Sequence, residues 1–259
     1  EIFKFKITSI FSVPLFFSQF LTFDLGDEYE KLKTLRRILS GGDFFNTNHI
    51  LQWMNIFPQI LLYNVWGPTE TSIVNTMYLV SDKDKDRLKE GKYPSVGFSH
   101  PKMSFFLVDE KRENIISKSF KKGEIVMAGD CVTNGYLDDV NLTKQSFKTI
   151  KGIRSFYTND LGYIDDTGNL FLIGRKDTLV KISGHRVDLR EIESTSLTFY
   201  NIENSIAFKK KINEFIDEIW IGVELVNKEL KFSIFEFKQF LRKKLPQYMI
   251  PKRVKIIDQ

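Results

Sequence analysis

Four segments recur in order along this chain, each joining a short apolar stretch to a Gly or Pro turn that carries hydroxyl or charged side chains, and they constrain the fold more than any other feature. The first is Tyr63-Asn64-Val65-Trp66-Gly67-Pro68-Thr69-Glu70-Thr71. The second is Gly123-Glu124-Ile125-Val126, leading to Gly135-Tyr136-Leu137. Tyr157-Thr158-Asn159-Asp160-Leu161-Gly162 is the third, and Gly174-Arg175-Lys176-Asp177, running into Lys181-Ile182-Ser183-Gly184-His185-Arg186, is the fourth. Short apolar runs bounded by such punctuation read as strands that deliver polar loops.

Periodicity extends this into a mixed α/β (α+β) chain of two parts. Leu32, Leu35, Ile38 and Leu39 recur at helical and near-helical spacing and predict a helical element that ends before Gly41-Gly42. Residues 60–63 predict a buried strand that opens into the Gly67-Pro68 turn, and residues 105–108, 124–128 and 170–173 predict further strands. The middle of the chain is therefore expected to be rich in β structure. Beyond residue 178 a strand at 179–182 is expected, then a helix capped by Asp188 and carrying Leu189, Ile192 and Leu197. Strands at 205–208 and 219–225 and an amphipathic helix with Phe235, Phe237, Phe240 and Leu241 complete a compact α+β unit. The expected division is residues 1–176 and 177–259.

Composition excludes several classes. The net charge of +5 over 259 residues is modest, and the basic runs at 209–211 and 242–244 lack the interleaved aromatics of a nucleic-acid groove, so no nucleic-acid partner is expected. The apolar stretch at 7–21 follows Lys4 and Lys6 in the manner of a secretion signal. It is interrupted by Pro14, Ser18 and Gln19 and is short for a bilayer span, so a buried helix or strand is expected and no membrane partner. Cys131 is the only cysteine. With no intrachain disulfide to form, a reducing compartment, the cytoplasm, is the expected location. The chain opens on Glu1 rather than Met and is expected to be a piece of something longer.

The loops carry chemistry that can be read residue by residue. After the Gly-Pro turn, Thr69 offers a hydroxyl to a phosphate oxygen and Glu70 a carboxylate to Mg²⁺, a hard cation that takes oxygen ligands. The same tetrapeptide also describes a helix start, with Thr69 as cap and Glu70 in the first turn. Trp66 is placed to stack on a purine or to fill a core. Asp160 can accept hydrogen bonds from two vicinal hydroxyls, as on a ribose, or serve as a turn aspartate, and Asn159 before it tolerates positive φ. Arg175 and Lys181 can steady ribose and phosphate oxygens or pair with surface carboxylates. His49, His100 and His185 are too scattered for a metal site.

Taken together, the segments resemble the adenylate-forming superfamily, and most closely the amino-acid adenylation domains of nonribosomal peptide synthetases. Residues 64–70 resemble its N-x-Y-G-P-T-E loop, residues 123–137 its G-E-[LI]-x-[IV] to G-Y-L segment, and residues 157–161 its Y-x-T-G-D-L. Residues 174–193 resemble G-R-x-D-x-x-V-K-I-x-G-x-R-[IV]-E-x-x-E-I-E, residues 245–251 resemble L-P-x-Y-M-[IV]-P, and residues 35–43 resemble L-R-x-[IV]-x-x-G-G-[DE]. The resemblance implies the later part of a large AMP-binding domain followed by most of a small mobile one. It also implies roles. Gly41, Gly42, Asn64, Trp66, Thr69, Asp160 and Arg175 would bind ATP or AMP, with Trp66 against adenine, Thr69 at the α-phosphate and Asp160 on the ribose hydroxyls. Glu70 would hold Mg²⁺, and Thr69, Glu70 and Arg186 would serve catalysis, with Gly184 beside Arg186 on the face presented to the active site. Leu39, Gly41, Val65 and Ile73 would line the acyl pocket, and Asp177 would be the hinge of the small domain.

Departures from the pattern are specific: Asn159 stands for the usual Gly, Asn134 for a common Arg and Arg190 for a common Gly. No phosphate loop ending in Pro-Lys-Gly is found, no Asp to hold a substrate amino group is identified, and Gln259 falls just before the N-G-K motif whose Lys balances charge at the α-phosphate.

The implied reaction is ATP-dependent adenylation of a carboxylate, expected to be an amino acid, to acyl-AMP and pyrophosphate. Transfer to the phosphopantetheine thiol of a carrier protein would follow. An acyl-CoA or fatty-acyl ligase, using CoA, and a catalytically inactive split-gene binding module are the alternatives left open. Lacking the phosphate loop and the catalytic Lys, the isolated chain is expected to support little or no substrate-dependent ATP–pyrophosphate exchange. A normal exchange rate by the isolated chain would overturn that expectation, and a panel of amino acids against fatty and aryl acids in the same assay separates the two ligase readings of the parent.

Overall fold

The computed structural model describes residues 1–22, 30–176, 179–182, 185–212 and 217–257. They form two compact units, the first of residues 1–45, 49–85 and 93–173, the second of residues 46–48, 86–92 and 174–259.

Two sheets make up the first unit. Its opening elements are β1 (Ser9–Ser12), α1 (Pro14–Thr22), β2 (Arg37–Ser40), most of α2 (Thr47–Ile56), β3 (Leu61–Trp66), β4 (Thr76–Leu79) and β5 (Phe98–Ser99); α3 (Lys85–Lys89), between β4 and β5 in the chain, falls after Lys85 in the second unit. Strands β1 to β5 lie in sequence order in one sheet, with β1, β2 and β3 parallel and β4 and β5 antiparallel. Thus the apolar stretch at 7–21 becomes a strand and a helix, divided at Pro14, but not the buried element expected, since Phe11 and Leu15 are 51% and 70% exposed. Proline suits the first helical position because its missing N–H has no intrahelical partner to lose there. Phe17 of α1 and Trp53 of α2 pack edge to face, both almost wholly buried.

The helix expected around residues 32–39 is corrected here: residues 37–40 are β2, between two parallel neighbours. Ile38 and Ser40 are buried on the same face of that strand, while Leu39 is less so. Hydrogen bonding on both sides overrides a spacing that, over so few residues, does not distinguish a helix from a strand.

The second sheet holds β6 (Met103–Val108), β7 (Ile115–Ile116), β8 (Gly123–Gly129), β9 (Phe147–Ile150), β10 (Ile153–Ile164) and β11 (Leu170–Arg175), with α4 (Val140–Ser146) before β9. Its order is β11-β10-β8-β6-β7, and β9 also pairs with β10. Strand β8 sits at the centre and is buried along nearly its whole length, with Ile125, Val126 and Met127 at 0% exposure. Pairing of β8 with β10 slips between Tyr157, opposite Val126, and Leu161, opposite Glu124. Strand β10 therefore carries surplus residues there, a bulge that bends the strand and re-aims side chains.

The second unit contains the hairpin β12 (Leu179–Ile182) and β13 (His185–Asp188), then α5 (Leu189–Ser196), β14 (Ile202–Lys211), β15 (Asp217–Leu225), α6 (Ile234–Lys244) and β16 (Arg253–Ile256). Strand β15 lies between antiparallel β14 and parallel β16. Asp188 caps α5, its side chain accepting the Arg190 N–H, and Ser233 caps α6 through Glu236 N–H. Alternate residues Ile219, Ile221, Val223 and Leu225 of β15 meet Phe237 and Leu241 of α6 in one core. Among the described residues no helix is long and apolar enough to cross a membrane.

Phe237 is 0% exposed and touches the rings of Phe199 and Phe232, whereas Phe235 is 70% exposed. Phe237→Ala is expected to cost about 3–5 kcal/mol by loss of contacts and cavity formation. Phe235→Ala should stay within about 0.5 kcal/mol. Guanidinium melts followed at an α6 reporter distinguish the two.

Candidate nucleotide site

The site is built in the first unit, where loops from both sheets meet. From the first sheet comes the turn between β3 and β4, which leaves β3 at Trp66 and returns when Asn75 N–H donates to the Trp66 carbonyl at 2.9 Å. Gly67 is required in it, since a β-carbon there would lie 2.5 Å from the Ile73 carbonyl oxygen. The Asn75 side-chain amide donates to the Thr71 carbonyl at 2.6 Å, and the Thr71 hydroxyl meets the Asn75 side-chain oxygen, with both residues buried. Thr71 and Ile73 N–H both donate to the Pro68 carbonyl, at 3.0 and 3.2 Å. A loop tied at this many points presents Thr69 and Glu70 in one conformation.

Residues 69–71 form a single 3₁₀ turn with Pro68 in the capping position, and no side chain caps it. Thr69 is thus not the cap; it is the first residue of the turn, exposed to solvent. Ser72 and Ile73 both have left-handed backbone, at φ 69° and 72°. That conformation is strained for a β-branched side chain, and Ile73 is 57% exposed.

From the second sheet comes the bulge of β10. The sequence places Asp160 in a loop, but it lies inside β10 at that bulge. Asn159 takes φ 60°, the left-handed conformation expected of it. The Asp160 N–H donates to the Thr158 hydroxyl at 3.0 Å, and that hydroxyl donates to the Ile125 carbonyl of β8 at 2.8 Å. Trp66 Nε1 donates to Asp160 Oδ2 at 3.2 Å. One hydrogen bond therefore joins the first and third signature segments. Behind Asp160, burial pushes the Tyr157 hydroxyl above its usual range.

The second segment meets the same place. Tyr136 donates its hydroxyl to Glu70 Oε1 at 2.6 Å, and Thr133 N–H donates to the Glu70 carbonyl at 2.9 Å. Gly135, at φ 142°, lets Tyr136 N–H close on the Thr143 hydroxyl at 2.9 Å, where a β-carbon would crowd that oxygen at 2.8 Å. Arg154 clasps the approach, donating to the Thr133 carbonyl at 2.8 Å and the Asn134 carbonyl at 2.5 Å. Tyr136 had a signal in sequence, its place in the Gly135-Tyr136-Leu137 match. Arg154 had none, because its partners lie about twenty residues away.

Other expected residues fall out as follows. Asn64 donates its side-chain amide to the Ser95 carbonyl at 2.8 Å, tying β3 to the segment that leads into β5 rather than offering that donor to a nucleotide. Gly41 packs on Val65: a β-carbon at 41 would lie 2.7 Å from the Val65 carbonyl oxygen and Cγ2, and Val65 is 3% exposed. Leu39 is half-buried and pairs in register with Tyr63, and Gly42 is exposed with φ 90°. Arg175 is the last residue of β11, in the second unit. The backbone of Arg186 pairs with Lys181, while Asp177 and Gly184 lie outside the described residues. Also in the second unit, the His185 ring stacks on Tyr248, centroids 4.1 Å apart, linking two of the matched motifs.

Comparison with known proteins bears on the family and the fold. The family model described as AMP-binding enzyme matches residues 1–137. A "D-alanine--D-alanyl carrier protein ligase" of Bacillus velezensis is 30% identical over 256 residues, covering 98% of this chain and 50% of that protein. One from Listeria monocytogenes is 31% identical over 243 residues, covering 92% and 46%. The chain thus spans about half the length of the curated relatives it matches. Klebsiella oxytoca NpsA, solved in complex with 3-hydroxyanthranilyl-AMSN, superposes with a TM-score of 0.86 at 22% identity, over 99% of this chain and 50% of that one. An ATP-bound RpMatB-BxBclM chimera does so with a TM-score of 0.83 at 26% identity, over 100% and 49%.

Asn75→Ala removes the donor to the Thr71 carbonyl and is expected to destabilise the first unit by about 1–3 kcal/mol. Amide exchange across residues 67–75 should accelerate while β8 stays protected, as hydrogen-exchange mass spectrometry can record.

Proposed function

The chain belongs to the AMP-binding enzyme family, and from that premise we propose that it supplies the adenosine- and Mg²⁺-binding half of a site at which a carboxylate substrate is adenylated. The carrying observation is the pair of contacts Trp66 to Asp160 and Tyr136 to Glu70, which brings three signature segments to one place. Asp160 is the ribose ligand, its carboxylate oriented by the Trp66 indole and its backbone held by Thr158. The Trp66 ring beside it serves adenine. Thr69 turns an exposed hydroxyl towards the α-phosphate. Arg175 steadies the ribose and Arg186 serves catalysis; both assignments, like the hinge at Asp177 and a division into residues 1–176 and 177–259, rest on the motif match.

The donor set at Glu70 fits a magnesium ion: a partly exposed carboxylate, one oxygen of which is fixed by a phenol. When bound, such an ion neutralises phosphate charge. The remaining tasks of this chain are positional, because displacement at phosphorus needs alignment and charge neutralisation rather than a protein nucleophile. Accordingly the side chains gathered here are Thr, Glu, Asp, Tyr and Trp.

For the substrate we infer an amino acid, with a carrier-protein phosphopantetheine as acceptor. The names of the two ligases cited above support this class over a CoA acceptor. By the motif match Gly41 and Val65, packed against each other, line the acyl pocket, an apolar lining that suits a small side chain.

The test is AMP binding by calorimetry. Hydrogen bonds to a charged acceptor contribute about 1.5–3 kcal/mol, so Asp160→Ala is expected to weaken AMP about tenfold to a hundredfold. Unchanged affinity, or equal affinity for AMP and inorganic phosphate in the unaltered chain, defeats this reading and favours an interaction module.

A further inference from the structure

Glu124 has a wholly buried side chain at the centre of the second sheet, and the functional reading above does not use it. A buried carboxylate is tolerated only when paired and hydrogen-bonded. Arg112 meets it with a two-pronged fork, Nε to Oε2 at 2.7 Å and Nη2 to Oε1 at 2.6 Å. The pair also grips the bulge. Arg112 Nη2 donates to Asn159 Oδ1 at 2.9 Å, and Glu124 Oε1 accepts the Asn159 N–H at 3.1 Å. Both halves of the ion pair thus hold the residue immediately before Asp160, the one whose left-handed backbone turns the chain there.

The arginine is itself held in place. It sits at φ 61° in the turn between β6 and β7, where Asp109 accepts from Glu113 N–H at 2.9 Å and from the Asn114 amide at 2.7 Å. These bonds, Asn114 first, keep the Asp109 carboxyl below its usual range. Its guanidinium lies 4.5 Å over the Tyr157 ring, on the other flank of the bulge. Lys148 reaches the same ring at 5.5 Å, so a cation over Tyr157 does not depend on Arg112 alone. Only a planar fork can serve two Glu124 oxygens and the Asn159 oxygen at once; a lysine ammonium cannot reproduce that geometry.

We propose that Arg112, through Glu124 and Asn159, is a positioning residue that sets the β10 bulge and so aims Asp160 at the ribose hydroxyls. The proposal rests on the reading of Asp160 as the ribose ligand. It also gives Asn159 a reason to stand where the matched motif has Gly: the left-handed backbone is kept, and a side-chain oxygen for Arg112 is gained.

Two readouts on the full chain separate the proposal from the reading beneath it. In Arg112→Lys the amides of Asn159 and Asp160 should exchange at least tenfold faster than in the unaltered chain, with β14 and β15 unchanged. The preference for AMP over 2′,3′-dideoxy-AMP should fall at least fivefold, with dideoxy-AMP affinity itself within twofold, an outcome that general destabilisation does not give. Asn159→Gly, which leaves Glu124 paired, should lose part of the same preference and guards against a variant that fails to fold. Asp160→Asn should abolish the preference. If Asp160→Asn abolishes it while Arg112→Lys and Asn159→Gly keep it within twofold of the unaltered chain, the clasp is overturned and the ribose reading stands. If Asp160→Asn retains it, or the chain binds no AMP, the ribose reading falls and the proposal with it.

Discussion

A carboxylate buried in the middle of a sheet has to be answered by a cation, and the Glu124–Arg112 pair is the constraint from which the geometry of this site follows. The fork that neutralises Glu124 also reaches Asn159, so the energetic need of the core is met by a contact that shapes the surface. From Asn159 the chain turns into Asp160, and from Asp160 one hydrogen bond crosses to Trp66 in the other sheet. Were Glu124 a leucine, the sheet could still close. The bulge would then have one fewer reason to hold its shape.

The opposite wall follows another principle. The turn between β3 and β4 carries consecutive left-handed residues, Ser72 and Ile73, of which the second is β-branched. A conformation costing about 1–3 kcal/mol persists only where neighbours over-determine it. Here the buried Thr71–Asn75 pair and the double acceptor at the Pro68 carbonyl do so. Rigidity on both sides leaves Thr69 exposed and Glu70 fixed by Tyr136. A ligand that needs several groups at set distances then binds without first ordering two loops.

Much of this was legible from the residues. The strands at β6, β8, β11, β12, β14 and β15, the Asp188 cap and the left-handed Asn159 follow from alternation, turn residues and capping chemistry. Local patterns failed where a neighbour decided. Ile38 and Leu39 became strand because β1 and β3 flank them. Asp160 entered a strand because β8 spends fewer residues across the same interval. The Asn64 amide bond to the Ser95 carbonyl, thirty-one residues away, had no local signal either.

By itself the sequence determined which chemical groups are present and in what order: the Gly-Pro-Thr-Glu turn, Asp160 after an aromatic strand, and a capped helix and aromatic core for the second unit. Such features depend on a residue and its near neighbours along the chain, which a linear pattern carries. The tertiary structure alone decided which groups touch: Trp66 with Asp160, Tyr136 with Glu70, and Arg112 with both Glu124 and Asn159. Those partners are separated by 94, 66, 12 and 47 residues respectively. A hydrogen bond requires about 3 Å through space and sets no limit on separation along the chain, so only the folded sheets could bring them together.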